Sequence, residues 1–385
     1  MTPPRIYLDY NASAPLRDPA LEAMLRVLRD VPGNPSSVHA EGERARAELG
    51  LARERVAALL GAESDEIVFT SGASEANNLA LASPGPAGGA PAHLLSTQVE
   101  HPSVEQPLAR LEKRGWRVTR LPVDPEGLLA GDALEAALQP DTALASLLWA
   151  NNETGVLQPI AELGGRLRAR RVPLHVDATQ LVGKLPLDLR QLPIELLSCS
   201  AHKLGGPKGV GCLFVRRGFA LEAQLLGGSQ ERRRRGGTEN LAGIAGFGAA
   251  CALAGRELAS TGERLAALRE RLWQGLRERV PRVRRNGSAQ AVLPNTLNLS
   301  FEAASGELLL QALDLDGVAV SAGAACASGS LAASPVLLAM GLGADAARSS
   351  LRFSLGPGSD AAQVERVLEI LPALVARVRA SRGSP

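Results

Sequence analysis

Seven short apolar runs, set apart by helical patterns, constrain the fold of this chain more than any other feature. EIVFTSG, HLLST, WRVTRLPV, TALASLLWAN, VPLHVDAT, ELLSCSAHK and GCLFVRR follow one another between Glu66 and Arg217. Each has the length and apolar content of a strand buried on both faces. Helical stretches such as SVEQPLARLEKRG and IAELGGRLRARRV separate most of them. Strand and helix in alternation predict an α/β fold, a mostly parallel sheet with helices on both sides. The last two runs are joined too briefly for a helical crossover, so the final strand is expected to be antiparallel. After Arg217 the texture changes. A polar, Gly-rich stretch, LLGGSQERRRRGGTEN, leads to a small-residue helix and then to a separate amphipathic one carrying Leu258, Leu265, Leu268, Leu272 and Leu276. NTLNLSF, VAVSAG and LRFSLG read as strands, and a closing helix is expected over Asp360–Arg379. The expected organisation is a large domain of about seven strands over residues 15–255. A smaller α+β domain would take residues 1–14 and 256–385.

Composition narrows the function. Of 385 residues 45% are hydrophobic, enough for a sizeable core. Lys+Arg 42 against Asp+Glu 40 leaves +2, too balanced for a nucleic-acid or membrane-surface protein. Four cysteines without CxxC spacing argue against a disulfide framework or a zinc site, and no metal is expected. The opening MTPPRIYLDYNASAP has no apolar signal core, so a cytoplasmic location is expected. Lysine occurs only at 113, 184, 203 and 208; the other 38 basic residues are arginine. Where arginine serves for nearly every positive charge, a lysine is favoured for the task arginine cannot perform, losing a proton to act as an amine.

Ligands of open α/β sheets collect beyond the carboxyl ends of strands. The polar residues there are Thr70-Ser71-Gly72-Ala73-Ser74-Glu75, Glu100-His101, Asn151-Asn152-Glu153, Asp177-Ala178-Thr179-Gln180 and Ser200-Ala201-His202-Lys203. The first is a helix-opening turn in which Ser74 is either an ordinary N-cap or a phosphate donor. Together they bring an anion cradle, an imidazole, a carboxylate and a lysine to one sheet edge. Pyridoxal phosphate needs this set. Lys203 would carry its aldehyde, and Asp177 would keep its pyridine nitrogen protonated.

Ten segments in order, YLDYNASAP, GNPSSVH, EIVFTSGASEANN, EHPSV, NNETG, HVDATQ, SAHKLGGPKG, RRGGTEN, SAGAACASGS and SSLRFSLG, resemble the cysteine desulfurases. These belong to the class V aminotransferase group of fold-type-I pyridoxal-phosphate enzymes. The resemblance implies that His101 stacks on the cofactor ring and moves protons. It implies that Asn152 and Gln180 contact the ring, Gln180 at the phenolic oxygen. Ala73, Ser74, Ser200 and His202 would form the phosphate pocket. Thr238 would reach the phosphate in a neighbouring subunit, making the protein a homodimer. Arg352 would grip the substrate carboxylate, with Asn34 nearby.

Cys199, Cys212 and Cys251 sit in apolar runs and read as small buried hydrophobes. Cys326 lies among residues too small to form a core, in an expected mobile loop at about 322–332. By itself that context allows either a linker cysteine or a reactive thiol. The resemblance implies the second: Cys326 takes sulfur from L-cysteine as a persulfide, leaves L-alanine, and passes the sulfur to an acceptor or scaffold protein. The chain stops at RASRGSP, without the longer C-terminal tail by which housekeeping relatives dock a scaffold, which leaves cluster assembly, tRNA thiolation and cofactor synthesis open as the sulfur's destination. Other readings are a selenocysteine lyase, an aminotransferase of a small amino acid, or a carrier subunit without turnover. The run Arg232–Arg235 reads as a solvated face or as a patch that attracts an acidic partner, the former favoured.

Overall fold

The computed structural model describes residues 5–82, 92–322 and 333–382. Among the described residues twelve strands run in chain order: β1 Ile6–Tyr7, β2 Ile67–Thr70, β3 His93–Thr97, β4 Arg117–Leu121, β5 Thr142–Leu148 and β6 Leu174–Asp177. Then follow β7 Leu196–Ser200, β8 Gly211–Val215, β9 Val283–Arg285, β10 Thr296–Phe301, β11 Val318–Ala319 and β12 Ser350–Ser354. The helices are α1 Asp18–Asp30, α2 Ala40–Leu60, α3 Ala73–Ala82, α4 Pro102–Glu112, α5 Gly131–Ala137 and α6 Ile160–Ala169. They continue with α7 Leu241–Arg279, α8 Gly306–Leu315, α9 Pro335–Ala339, α10 Ala344–Arg348 and α11 Ala361–Arg382.

The seven apolar runs become β2 to β8, one sheet in the order β2-β8-β7-β6-β5-β3-β4. All its strands are parallel except β8, which runs against both β7 and β2. The short β7–β8 connection leaves no room for a crossover helix, so reversal is the only route back into the sheet. Helices α2, α6 and the first part of α7 cover one face, through Val56, Leu163, Leu167 and Phe247. On the other face α3 packs Ala76 and Leu79 on the β2 side, and α4 packs Val104 and Leu108 on the β3 side.

A second core lies around β12-β10-β9, an antiparallel sheet backed by α8, α11 and the last part of α7. The N-terminal strand joins it: β1 pairs in parallel with β11, and Leu8 is fully buried. The small-residue and amphipathic helices expected after residue 240 are one helix of 39 residues. No proline interrupts it, and interior glycines cost only about 1 kcal/mol each. Its first eleven residues, Leu241 to Cys251, are all buried, Ile244, Phe247 and Cys251 in the core under the large sheet and Leu241, Ala242 and Ala245 against α1 and α2. Farther on only a stripe, Leu265, Leu268, Leu272 and Leu276, is buried, now against the second core. By length and composition α7 could cross a membrane; here it packs against α1 and α2.

Candidate active site

The polar strand ends border one cavity of about 980 Å3. Asp177 ends β6, Lys203 follows β7, His101 follows β3, and Arg352 reaches the cavity from β12 of the second core. Asn152, Gln180, Ser200, His202, Ala73 and Ser74 border it too. Asn34 and Thr238 do not; both are exposed. Asn34 instead closes a turn, its Oδ1 accepting from the Ser36 N–H at 2.8 Å. Cys326 lies outside the described residues. The described chain on both sides of it is tied to the cavity. Ser321 exchanges backbone hydrogen bonds with Arg352, and Ser334 donates from Oγ to Glu153 Oε2 at 2.5 Å.

At one end the turn Ser71-Gly72 opens α3. Gly72 has φ 155°, a conformation side chains disfavour, and the first N–H groups of α3 have no intrahelical acceptor. A Cβ on Gly211 of β8 would lie 2.8 Å from the Gly72 Cα, so that glycine lets the turn sit directly on the strand. The Ser71 N–H donates to Glu75 Oε2 at 2.7 Å, and Arg235 Nε donates to Glu75 Oε1 at 2.8 Å. The N–H groups of the first turn of α3 not taken by Glu75 are the donors an anion could use at this end.

At the other end each oxygen of Asp177 accepts one hydrogen bond and keeps a second lone pair. Its Oδ1 accepts from the Thr179 N–H at 3.0 Å and its Oδ2 from Asn77 Nδ2 at 2.8 Å. His101 caps α4: its Nδ1 accepts from the Ser103 N–H at 3.1 Å, which places the proton of the neutral ring on Nε2. Burial, aided by the Lys203 charge, holds its pKa below the usual imidazole value despite Asp177. Burial and the nearby lysines push His202 down to about 4. The side chain of Glu100, enclosed beside His101, is pushed up to about 8 by burial and is therefore a neutral acid at pH 7.

Lys203 is the amine the sequence singled out. Its Nζ donates to the carbonyls of Asn11 at 2.6 Å and Ala12 at 2.8 Å. Burial first, then repulsion from Arg352, lowers its pKa to about 8. About half of it is a free amine at pH 8, the form that attacks carbonyls and takes protons. Arg352 donates to Asn152 O at 2.9 Å and pairs with Asp9 at 2.5 Å, while its buried Nε has no acceptor.

Sequence reasoning missed the residues that hold these groups: Asn11, Asp9, Asn77, Ser103 and Lys184. Asp9 and Asn11 stand in YLDYNASAP, a polar cluster beside a buried Leu8. That pattern was a usable signal, but it did not say what the cluster would face.

The run Arg232–Arg235 is not a uniform solvated face. Arg232 and Arg233 are exposed, whereas Arg234 and Arg235 bond the Asp65 carbonyl and Glu75. Glu231, Arg232 and Arg233 have φ of 45°, 56° and 64°, a left-handed turn costing about 1–2 kcal/mol per residue. A buried pair holds it: Arg53 bonds both Glu231 oxygens at 2.7 and 2.8 Å, and the Phe69 N–H adds a third bond at 2.9 Å. Arg53→Met leaves the carboxylate buried without its cation. The expected loss is about 3–5 kcal/mol, a fall in Tm of roughly 4–6 °C by calorimetry. An unchanged Tm would show that the pair does not anchor the turn.

Over residues 6–367 the sequence matches the aminotransferase class-V family, to which the chain therefore belongs. Within that family it groups with the cysteine desulfurases. The cysteine desulfurase of Nostoc sp. (strain PCC 7120) is 44% identical over 375 residues, 97% of this chain and 94% of that protein. A solved NifS-like protein superposes with a TM-score of 0.91 at 33% identity, covering 97% of this chain and all of that one. SspA, solved in complex with cysteine, gives 0.82 at 35% identity over 91% of this chain and 99% of its own.

Proposed function

We propose that this chain uses pyridoxal phosphate to move the sulfur of L-cysteine onto Cys326, releasing L-alanine. The observation that carries the reading is the placement of the Lys203 amine, the Asp177 carboxylate and the Arg352 guanidinium on one cavity. The residues present fit the cofactor. The α3 N-terminus with Ser74, Ser200 and His202 suits its phosphate, and Asp177 its ring nitrogen. Two buried oxygens lack partners, Thr179 Oγ1 and Asn77 Oδ1, both on residues bonded to Asp177. Bound there, the cofactor would serve as the store for electrons released at the substrate Cα.

The chain's own groups do the rest. Arg352 receives the substrate carboxylate, which competes with Asp9 for the guanidinium and gives the buried Nε an acceptor. Lys203, as the free amine, would take the Cα proton on Nζ. Cys326 Sγ attacks the substrate sulfur; the S–S bond forms as the Cβ–S bond breaks. Cβ is reduced to the methyl of alanine while the two sulfurs are oxidised to the persulfide, so no outside oxidant is required. A thiol of ordinary pKa, about 8.5, must shed its proton first; His101 would take it on Nδ1, which must first release the Ser103 N–H. The three described cysteines do not fit the nucleophile's role. All are buried; the hydrogen bond to Cys199 and burial raise the Cys212 thiol, and burial raises Cys251.

The protein would act as a homodimer in the cytoplasm, with exposed Thr238 turned toward the partner's site. A carrier or scaffold protein would accept the sulfur. The test is alanine and sulfide measured in one tube from purified protein, L-cysteine and a thiol reductant. Equal amounts are expected. Neither product from yellow protein would overturn L-cysteine as the substrate, and a keto-acid requirement would favour an aminotransferase.

A further inference from the structure

Lys184, one of only four lysines, is unused by the mechanism above. It lies in the turn after β6 and borders a second cavity of about 320 Å3 that also touches Lys203. Its amine is enclosed. Nζ donates to Gln180 Oε1 at 2.8 Å and to Asn11 Oδ1 at 3.1 Å, and neither acceptor is a carboxylate. Gln180 Nε2 in turn donates to the Asn11 carbonyl at 2.9 Å, the same oxygen that receives Lys203 Nζ. A side-chain amide is often free to flip, but here one end meets a carbonyl that can only accept, so Nε2 stays on that side and Oε1 is turned to the Lys184 amine, which donates to it. One orientation satisfies both. It leaves the second Gln180 N–H, on a residue lining the main cavity, without an acceptor among the described residues.

We propose that Lys184 is a positioning residue, fixing the Gln180 amide so that its N–H, and not its carbonyl, faces the group bound in the active site. The inference rests on the cofactor reading above and deepens it. It also accounts for lysine at this position in an arginine-rich chain. Burial, then the charges of Lys203 and Arg352, drives the Lys184 pKa well below its usual value; those are the charged groups acting on it, and both are cations. A guanidinium, unable to lose its proton, would stand there as an unpaired buried charge.

The test is the absorbance of bound pyridoxal phosphate titrated against pH in the substrate-free holoenzyme. A fixed N–H donor to the cofactor's phenolic oxygen favours the ionised oxygen and so lowers the pH at which the bound chromophore takes up a proton. Lys184→Met is expected to raise that midpoint by about one pH unit, with cofactor stoichiometry and Tm near wild type. Gln180→Leu is expected to raise it at least as far, and the double variant no farther than Gln180→Leu alone. A wild-type midpoint in Lys184→Met overturns the proposal. So does a shift that adds in full to that of Gln180→Leu, since the lysine would then act directly as a charge. Should Lys184→Met fail to fold, Lys184→Gln carries the same comparison, with a midpoint between wild type and Gln180→Leu expected and additivity again overturning the proposal. Wild-type protein that takes up no pyridoxal phosphate would instead overturn the functional reading itself, and this inference with it.

Discussion

Lys203→Ala is expected to abolish alanine production, lowering kcat by on the order of 10^4-fold or more, while leaving the fold intact. Two losses coincide in that one change. The amine that would hold the cofactor's aldehyde is gone, and so is the base placed to take the Cα proton. Little stability should go with them. The ammonium is buried without a carboxylate partner, bonded only to the carbonyls of Asn11 and Ala12 and pushed down to about 8 by desolvation. Its removal therefore relieves a buried charge as well as deleting two hydrogen bonds. The pH dependence of the wild type gives an independent check. The folded pKa lies below the ordinary lysine value, so the free-amine fraction rises with pH through about 8. Uptake of pyridoxal phosphate by the apoprotein should accelerate over the same range, and in Lys203→Ala that pH-dependent step should be absent. Wild-type turnover in the variant would end the assignment.

Cys326→Ala is expected to take up pyridoxal phosphate and bind L-cysteine normally, yet form no persulfide and no alanine above background. Sulfur leaves the substrate only if a thiolate receives it, and no other cysteine can do so. Cys199 and Cys212 lie side by side in the sheet with their Sγ atoms 3.3 Å apart, and Cys251 is buried beneath them in α7. The flanking chain is well placed to bring Cys326 to the reaction. Ser321 is paired with Arg352, and Pro335 and Val336 line the cavity. The comparison to make is single-turnover alanine formation alongside the spectral change on adding cysteine. A spectral change without alanine is the expected result. Alanine at the wild-type rate would move the nucleophile elsewhere and reopen the aminotransferase reading.

Much of the fold was legible because its signals are local. An apolar run of strand length bounded by helical periodicity marks a buried strand wherever it occurs, and all seven such runs entered the large sheet. The brevity of the β7–β8 link fixed the one reversed strand for the same reason. The two-helix reading of residues 241–279 failed because a change of buried face along a helix looks like a boundary. The backbone registers only breakers, and Leu241–Arg279 contains no proline.

The site divides along the same line. Residues that end strands, such as Asp177 and Lys203, could be read as a set because the carboxyl edge of a parallel sheet gathers whatever side chains stand there. By itself, then, the sequence determined the strands, their polar ends and the scarcity of lysine that pointed to Lys203. Tertiary structure alone decided what those groups touch. Asp9 meets Arg352 and Asn11 meets Thr296 across more than 280 residues of chain, and Asn77 meets Asp177 across 100. A hydrogen bond between such distant partners leaves no periodic or compositional trace in either segment. Nor does the loss of water around Lys184 and Lys203, on which their protonation depends, because burial belongs to the packed whole and not to any stretch of sequence.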